Sequence, residues 1–335
     1  MRDEPFGGLW LLQQMRALWR RGRFPQSVLV SGPPGAGKGM IARYIAQALL
    51  CTAAVDERPC GRCAACRRVE GERHLDLLVL RPEPGRPFRI DQIREAERFL
   101  RLTPREGAKK VVIIEDFHLA TVAAENALLK TLEEPPPYAH LLLTADEAAH
   151  LLPTILSRVR LFPMRLLPPR QVADALKAKG VGDALAAEIA ALSAGRLGWA
   201  MQAAEEPAVL DEARQLADSL FRFLEATLPE RFALAQSWSQ REQLPLLPTR
   251  LEYWRLLWRD LLAMQASPQR SEADACGPCK KLAALVPRLP PRKTLQLARL
   301  LGDALDALRQ NVNPRLLLEV LALELPTLLP PSASQ

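Results

Sequence analysis

Four cysteines fall in a Cys-x8-Cys-x2-Cys-x2-Cys pattern at Cys51, Cys60, Cys63 and Cys66. Thiolates are ligands that a tetrahedral zinc ion favours, and two-residue gaps let one tight turn aim three sulfurs at a single centre. Cys51, at the end of the preceding helical pattern, closes the site. Four thiolates leave no open coordination position, so the zinc implied by this spacing is structural and not catalytic. The bland alternative, four free thiols, would leave oxidisable groups bunched in a loop that holds Pro59 and Gly61.

Just ahead of the cysteines, Ser31-Gly-Pro-Pro-Gly-Ala-Gly-Lys-Gly39 matches the phosphate-loop pattern in its glycines and lysine. Gly32, Gly35 and Gly37 allow backbone N–H groups to curl around phosphate oxygens. Lys38 adds a cation at the start of a helix whose dipole also favours anions. The next position normally carries Ser or Thr, but here it is Gly39, which has no hydroxyl for the magnesium that bridges the outer phosphates. The companion motif is altered as well. A magnesium-binding Asp followed by Glu normally ends a hydrophobic strand, whereas Ile113-Ile114 leads into Glu115-Asp116. Order and reach are both reversed, each carboxylate standing one methylene from its usual depth. ATP hydrolysis by this chain is therefore not expected, while ATP binding without turnover stays open.

These motifs need a scaffold, and the hydrophobic pattern supplies one. Short apolar runs at 27–30, 75–80, 111–114 and 141–144 alternate with helical patterns at 38–50, from Ile90, and at 125–132, which predicts a parallel α/β sheet. Pro135, Pro136 and Pro137 stop the last of these helices. Past Phe162 the strand signals vanish: residues 164 to about 205 hold two or three short helices, and the rest reads as all-helical with proline breaks near Pro245, Pro248, Pro287 and Pro290. The expected division is a nucleotide-binding-like domain over 1–163 with the cysteine module inserted at 51–66, a helical lid over 164–205, and an all-helical region over 206–335.

Composition bounds the rest. The 335 residues are 48% hydrophobic and 25% charged, as in globular domains with a sizeable core. The first residues are acidic where a signal peptide needs basic ones, and no apolar run approaches the ~18 residues of a bilayer span, so cytoplasmic residence without a membrane partner is expected. The net charge of +7 fits a polyanionic partner but is spread over many positions, which makes it weak evidence for DNA. Cys276-Gly-Pro-Cys279 spells a redox dithiol, yet it stands in a polar loop between helices and lacks the strand and helix that lower the first thiol's pKa.

Three longer runs add a resemblance. Lys110-Val-Val-Ile-Ile-Glu-Asp-Phe-His118, Asn126-Ala-Leu-Leu-Lys-Thr-Leu-Glu-Glu-Pro-Pro136 and Leu152-Pro-Thr-Ile-Leu-Ser-Arg158, together with the cysteine spacing, resemble bacterial clamp-loader subunits of the AAA+ class. The likeness covers residues 1 to about 205, and Asn311 to Leu325 is similar to the helical collar through which those subunits oligomerise. It implies an AAA+ domain, a lid and a collar. It also implies zinc as cofactor, with gamma/tau and delta subunits as partners and a sliding clamp and primer-template DNA reached through the complex. The assembly is part of a DNA-directed DNA polymerase holoenzyme, to which this chain would bring no polymerase activity. Because Gly39 and Glu115-Asp116 depart from the motor pattern, the resemblance is strongest to the branch that does not hydrolyse ATP.

In that family a Ser-Arg-Cys triplet sends its arginine into a neighbour's ATP site. Here Ser157-Arg158 is followed by Val159, which leaves the guanidinium in place; the bland alternative is a surface arginine at a helix end. Thr144 and Arg196 lie where relatives place nucleotide-sensing residues, and both also read as a strand end and a solvated helix residue. Two other readings are an active ATPase motor, which phosphate release from the isolated chain would reveal, and a lone zinc-dependent nucleic-acid-binding protein, which would bind DNA in a salt-sensitive way.

Overall fold

The structure is a computed structural model and describes residues 9–83, 86–266, 281, 285–310 and 312–328. Five strands form one parallel sheet: β1 (Ser27–Ser31), β2 (Leu77–Leu80), β3 (Lys110–Ile114), β4 (Ala139–Ala145) and β5 (Arg160–Pro163), in the order β2-β3-β4-β1-β5. Every residue of β1, β3 and β4 is buried, as expected for central strands covered on both faces. Register is set with Val28 opposite Leu142 and Lys110 opposite Ala139.

Along β1 the side chains alternate between two cores. Val28 and Val30 join Met15 of α1 (Leu9–Arg20) and Ile41 and Ile45 of α2 (Lys38–Leu50). Leu29 points the other way, to Ile93 and Leu100 of α4 (Ile90–Arg101) and Leu128 and Leu132 of α5 (Val122–Glu133). A short α3 (Ala64–Glu70) follows the cysteines, and α6 (Pro153–Leu156) precedes β5. The expected α/β sheet is thus observed. Its C-terminal edge gathers the loop after β1, Glu115 and Asp116 after β3, and Asp146 after β4.

Two differences from the sequence pattern have local causes. The strand foreseen from Leu75 begins at Leu77, because Leu75 is exposed and the Asp76 carboxylate accepts from the backbone N–H groups of Arg105 and Glu106 at 2.8 Å each. It also meets Lys110 Nζ at 3.3 Å, an ion pair that is almost wholly buried, with the ammonium 4.2 Å from the centre of the Phe99 ring. The edge strand β5 is absent from the four apolar runs read as strands, since Arg160 and Leu161 are exposed on it.

The described residues divide into two compact units. One runs through Leu167 and takes in Arg196–Trp199; the other holds Pro168–Gly195 and the chain from Ala200 onward. The second unit is helical: α7 (Pro169–Ala178), α8 (Asp183–Leu192), the greater part of α9 (Leu197–Glu205), α10 (Pro207–Glu225), α11 (Leu228–Trp238), α12 (Leu247–Ala266), α13 (Pro291–Arg309) and α14 (Pro314–Glu324). Phe223, Trp238 and Trp254 pack together in its core with ring separations of 5.2–5.7 Å, Phe223 stacked on Trp238 and Trp254 edge-on to Trp238. The Arg231 guanidinium, buried beside them, donates to the carbonyls of Leu224, Ala226, Ala322, Leu325 and Pro326, and so ties the end of α14 to α10 and α11. Among the described residues no helix is long and apolar enough to cross a membrane.

Removing Asp76 would strand a buried ammonium, so Asp76→Ala is expected to cost about 3–5 kcal/mol, read as a lower midpoint in urea unfolding. A loss below about 1 kcal/mol would mean that Lys110 finds another partner.

Candidate functional site

The cysteine prediction has a geometric counterpart. Cys51 ends α2, Cys60 and Cys63 lie in the following loop, and Cys66 sits in the first turn of α3. Their four Sγ atoms lie within 4.8 Å of one another, with Cys51 Sγ and Cys63 Sγ 3.9 Å apart. Four sulfurs at ~2.3 Å from one ion would be separated by about 3.8 Å, so the cluster fits a tetrahedral metal. Backbone N–H groups already point at the sulfurs: Ala53 and Cys60 donate to Cys51 at 3.4 and 3.5 Å, Cys63 to Cys60 at 3.4 Å, and Cys66 to Cys63 at 3.3 Å. Such donors stabilise thiolate charge. Burial pushes the Cys51 and Cys66 thiols up, while the N–H groups of Arg62 and Cys63 pull Cys60 down. No disulfide links any of the four. Cys276 and Cys279 lie outside the described residues.

The phosphate loop takes the expected strand-loop-helix course, and Gly37 adopts φ 101°, a left-handed conformation that suits glycine. Lys38 does not present its charge to the loop. Its side chain is only 7% exposed, and its ammonium donates to Gly32 O at 2.9 Å, Pro33 O at 3.3 Å and Asp146 Oδ1 at 2.6 Å. Three protons thus meet three internal acceptors. Asp146 is braced from the other side, where His118 Nε2 lies 3.3 Å from Oδ2 while its Nδ1 accepts from the Asp146 backbone N–H at 3.3 Å. Burial pushes the Asp146 carboxyl up, but His118 and Lys38 outweigh it and hold it below the usual carboxylate range.

The mouth of the loop is also packed. Trp199 N donates to Gly35 O at 2.9 Å, and a Cβ on Gly198 would lie 2.7 Å from Gly37 Cα and 2.9 Å from Gly35 O. Only glycine fits that approach. Arg196 lies over the Trp199 ring at 5.2 Å.

The altered magnesium motif is occupied by arginine. Arg43, one helical turn beyond Gly39, donates to Glu115 Oε1 at 2.9 Å and to Glu72 Oε1 at 3.2 Å; Arg81 donates to Glu115 Oε2 at 3.2 Å and to Glu72 Oε2 at 2.9 Å. The four charges form a closed ring. Where a side chain at position 39 would begin, Glu115 Oε1 lies 3.1 Å and an Arg43 nitrogen 3.4 Å away, so Gly39 leaves room for that guanidinium. Asp116 turns away in a left-handed conformation (φ 51°, ψ 45°), its N–H donating to Thr144 Oγ1 at 2.9 Å. Its carboxylate approaches His118 and Asp146 within 4.8 Å.

Sequence reasoning missed Arg43, Arg81, Glu72, Asp146, His118 and Gly198. Arg43 had a signal, because positions i and i+4 of a helix share a face and Gly39 opens that face. The others come from distant segments and had none. Ser157 and Arg158 stand just past α6: Arg158 Nη1 donates to Thr154 O at 2.9 Å and Ser157 Oγ at 3.0 Å, and Nη2 to Glu133 Oε1 at 2.7 Å.

A family model described as DNA polymerase III, delta subunit, matches residues 10–168. The match lies in the N-terminal half of the chain. Over 148 residues, 43% of this chain and 45% of the relative, it is 40% identical to DNA polymerase III subunit delta' of Pseudomonas aeruginosa. It is 35% identical to the Escherichia coli delta' over 198 residues, 57% of this chain and 59% of the relative. Subunit tau of Escherichia coli is 35% identical over 156 residues, 47% of this chain and 24% of the relative. The chain spans about half the length of the delta' relatives it matches. Among solved structures, a gamma subunit-related protein of Thermotoga maritima aligns with a TM-score of 0.41 at 20% identity, covering 85% of this chain and 97% of that one.

If Lys38 is a structural tie, its loss weakens the chain even without nucleotide. Lys38→Met is expected to lower the stability of the ligand-free protein by about 1–3 kcal/mol, the cost of leaving Asp146 and two carbonyls without their donor. A lysine waiting for phosphate would leave that unfolding midpoint unmoved.

Proposed function

We propose that this chain is a delta'-type subunit of a bacterial clamp loader, which helps place a sliding clamp on primed DNA in the cytoplasm without hydrolysing ATP itself. The observation that carries the reading is the spent charge at the phosphate loop: Lys38 is neutralised by Asp146 and Arg43 stands in the metal's corner. A motor needs that lysine for the outer phosphates and an open carboxylate for magnesium. The likeness to delta' relatives in the N-terminal half supports the same assignment. Gamma/tau and delta subunits are the partners it implies.

The division at 163 and 205 into AAA+ domain, lid and collar belongs to this proposal. One feature of the final region favours assembly: Val312, just before α14, and Leu316, Val320 and Leu323 on it are all exposed, at helical spacing, as an apolar stripe.

The ion in the cysteine cluster is assigned as structural zinc, held by Cys51, Cys60, Cys63 and Cys66. About one zinc per chain is expected by elemental analysis of protein purified under reducing conditions, and a zinc-free preparation with intact structure around α3 would overturn the assignment. In comparable small modules such binding contributes ~10–16 kcal/mol of apparent free energy, so chelation should disorder the module before the sheet.

Arg158 is assigned as a finger that reaches a neighbour's ATP. It stands after α6 at the sheet's rim, and Ser157 beside it takes one of its hydrogen bonds. In the assembled complex Arg158→Ala should slow ATP turnover stimulated by clamp and DNA, and Arg158→Lys should rescue it poorly for lack of the planar fork. Fingers elsewhere contribute roughly 10³–10⁵ at their own site, and the total falls by less because other sites still turn over. The isolated chain should release no phosphate. Equal turnover with and without Arg158 would return it to an ordinary surface arginine.

A further inference from the structure

Arg158 is not waiting in an extended pose. Its Nη2 is 2.7 Å from Glu133 Oε1, while Nη1 is bound along its own segment to Thr154 O and Ser157 Oγ. Glu133 is the last residue of α5, and its side chain is half exposed. A carboxylate at the carbonyl end of a helix is disfavoured by the dipole, and an exposed ion pair in water is weak. Nothing about helix α5 needs a negative charge there, yet that charge meets the one guanidinium assigned to work on another chain.

We propose that Glu133 is a positioning residue that parks Arg158 until a neighbour's phosphate displaces it. The inference rests on the reading of Arg158 as a finger in trans. A carboxylate left against the guanidinium would cancel much of its charge and would itself face the phosphate oxygens, so it has to leave when the arginine engages. The magnitudes permit the exchange. An exposed pair holds its partner by a factor of about 1.5–5, while a docked finger contributes roughly 10³–10⁵. The carboxylate therefore wins when no phosphate is near and loses once one arrives. The two bonds to Thr154 and Ser157 need not break, so the guanidinium stays on its segment while one edge changes partners.

The test is a double-mutant cycle in the assembled clamp-loader complex, with ATP turnover measured at low and high salt. When Arg158 is present, Glu133→Gln should raise turnover by about 1.5- to 5-fold at the site Arg158 serves and by less in total; it should have no effect in an Arg158→Ala background and lose most of its effect at high salt. Glu133→Asp, which keeps the charge but shortens the reach, should fall between wild type and Gln. Gel filtration checks that each chain enters the complex. In the isolated chain, Glu133→Gln should speed solvent exchange of the Arg158 guanidinium protons in nitrogen-15 NMR. If Arg158→Ala slows turnover while Glu133→Gln leaves it unchanged or lowers it, the parking role is wrong and the finger stands. If Arg158→Ala changes nothing, both assignments fall together.

Discussion

Lys38 holds the loop after β1 in its present form. A lysine in a phosphate loop is ordinarily a charge without a partner, kept for a ligand, and burying it unpaired would cost several kcal/mol. Here the partner is built in. Asp146, from the end of β4, supplies the negative charge, and two loop carbonyls take the remaining protons. The same substitution of protein for ligand recurs one strand away, where Arg43 and Arg81 neutralise Glu115 as a metal ion would. A site whose charges already balance has little to gain from a charged ligand. Opening it would cost both ion pairs before any phosphate contact formed.

This also explains why the glycines persist in a loop without the rest of the machinery. Gly35 and Gly37 are contacted by the backbone of Gly198 and Trp199, and a side chain on Gly198 would collide with Gly37. Close backbone approach demands glycine whether the approaching group is a phosphate or another peptide. The pattern Gly32-x4-Gly37-Lys38 therefore reports a constraint on space that two different occupants can impose.

That ambiguity marks where the sequence stopped being legible. The parallel sheet was readable because β1, β3 and β4 are continuous apolar runs, and the cysteine cluster because its spacing brings three sulfurs together in one turn of chain with Cys51 close before it. The departures at Gly39 and Glu115-Asp116 were readable as losses. What filled the losses was not, since Asp146 lies 108 positions from Lys38 and Arg81 lies 34 from Glu115, and long-range ion pairs leave no periodic trace. Arg43 was the exception, being one turn from Gly39. The exposed edge strand β5 was blurred for the opposite reason: half-solvated, it lacks the apolar run that marks a strand.

The cysteine cluster is tied to this frame through charge as well as through any ion. Arg68 of α3 meets Glu106 at 2.5 Å; Glu106 also faces His74 Nε2 at 3.4 Å, and its backbone N–H caps Asp76. Burial lowers the His74 pKa, which keeps the imidazole neutral and lets Nδ1 accept from the Asp76 N–H at 3.1 Å. On the other flank Gln47 of α2 donates to Cys66 O at 3.3 Å. The module therefore hangs between the helix that follows the phosphate loop and the turn that feeds β3. An ion that fixed the four sulfurs would therefore hold a module attached on both flanks, although no ligand atom of the cluster lies in the phosphate loop.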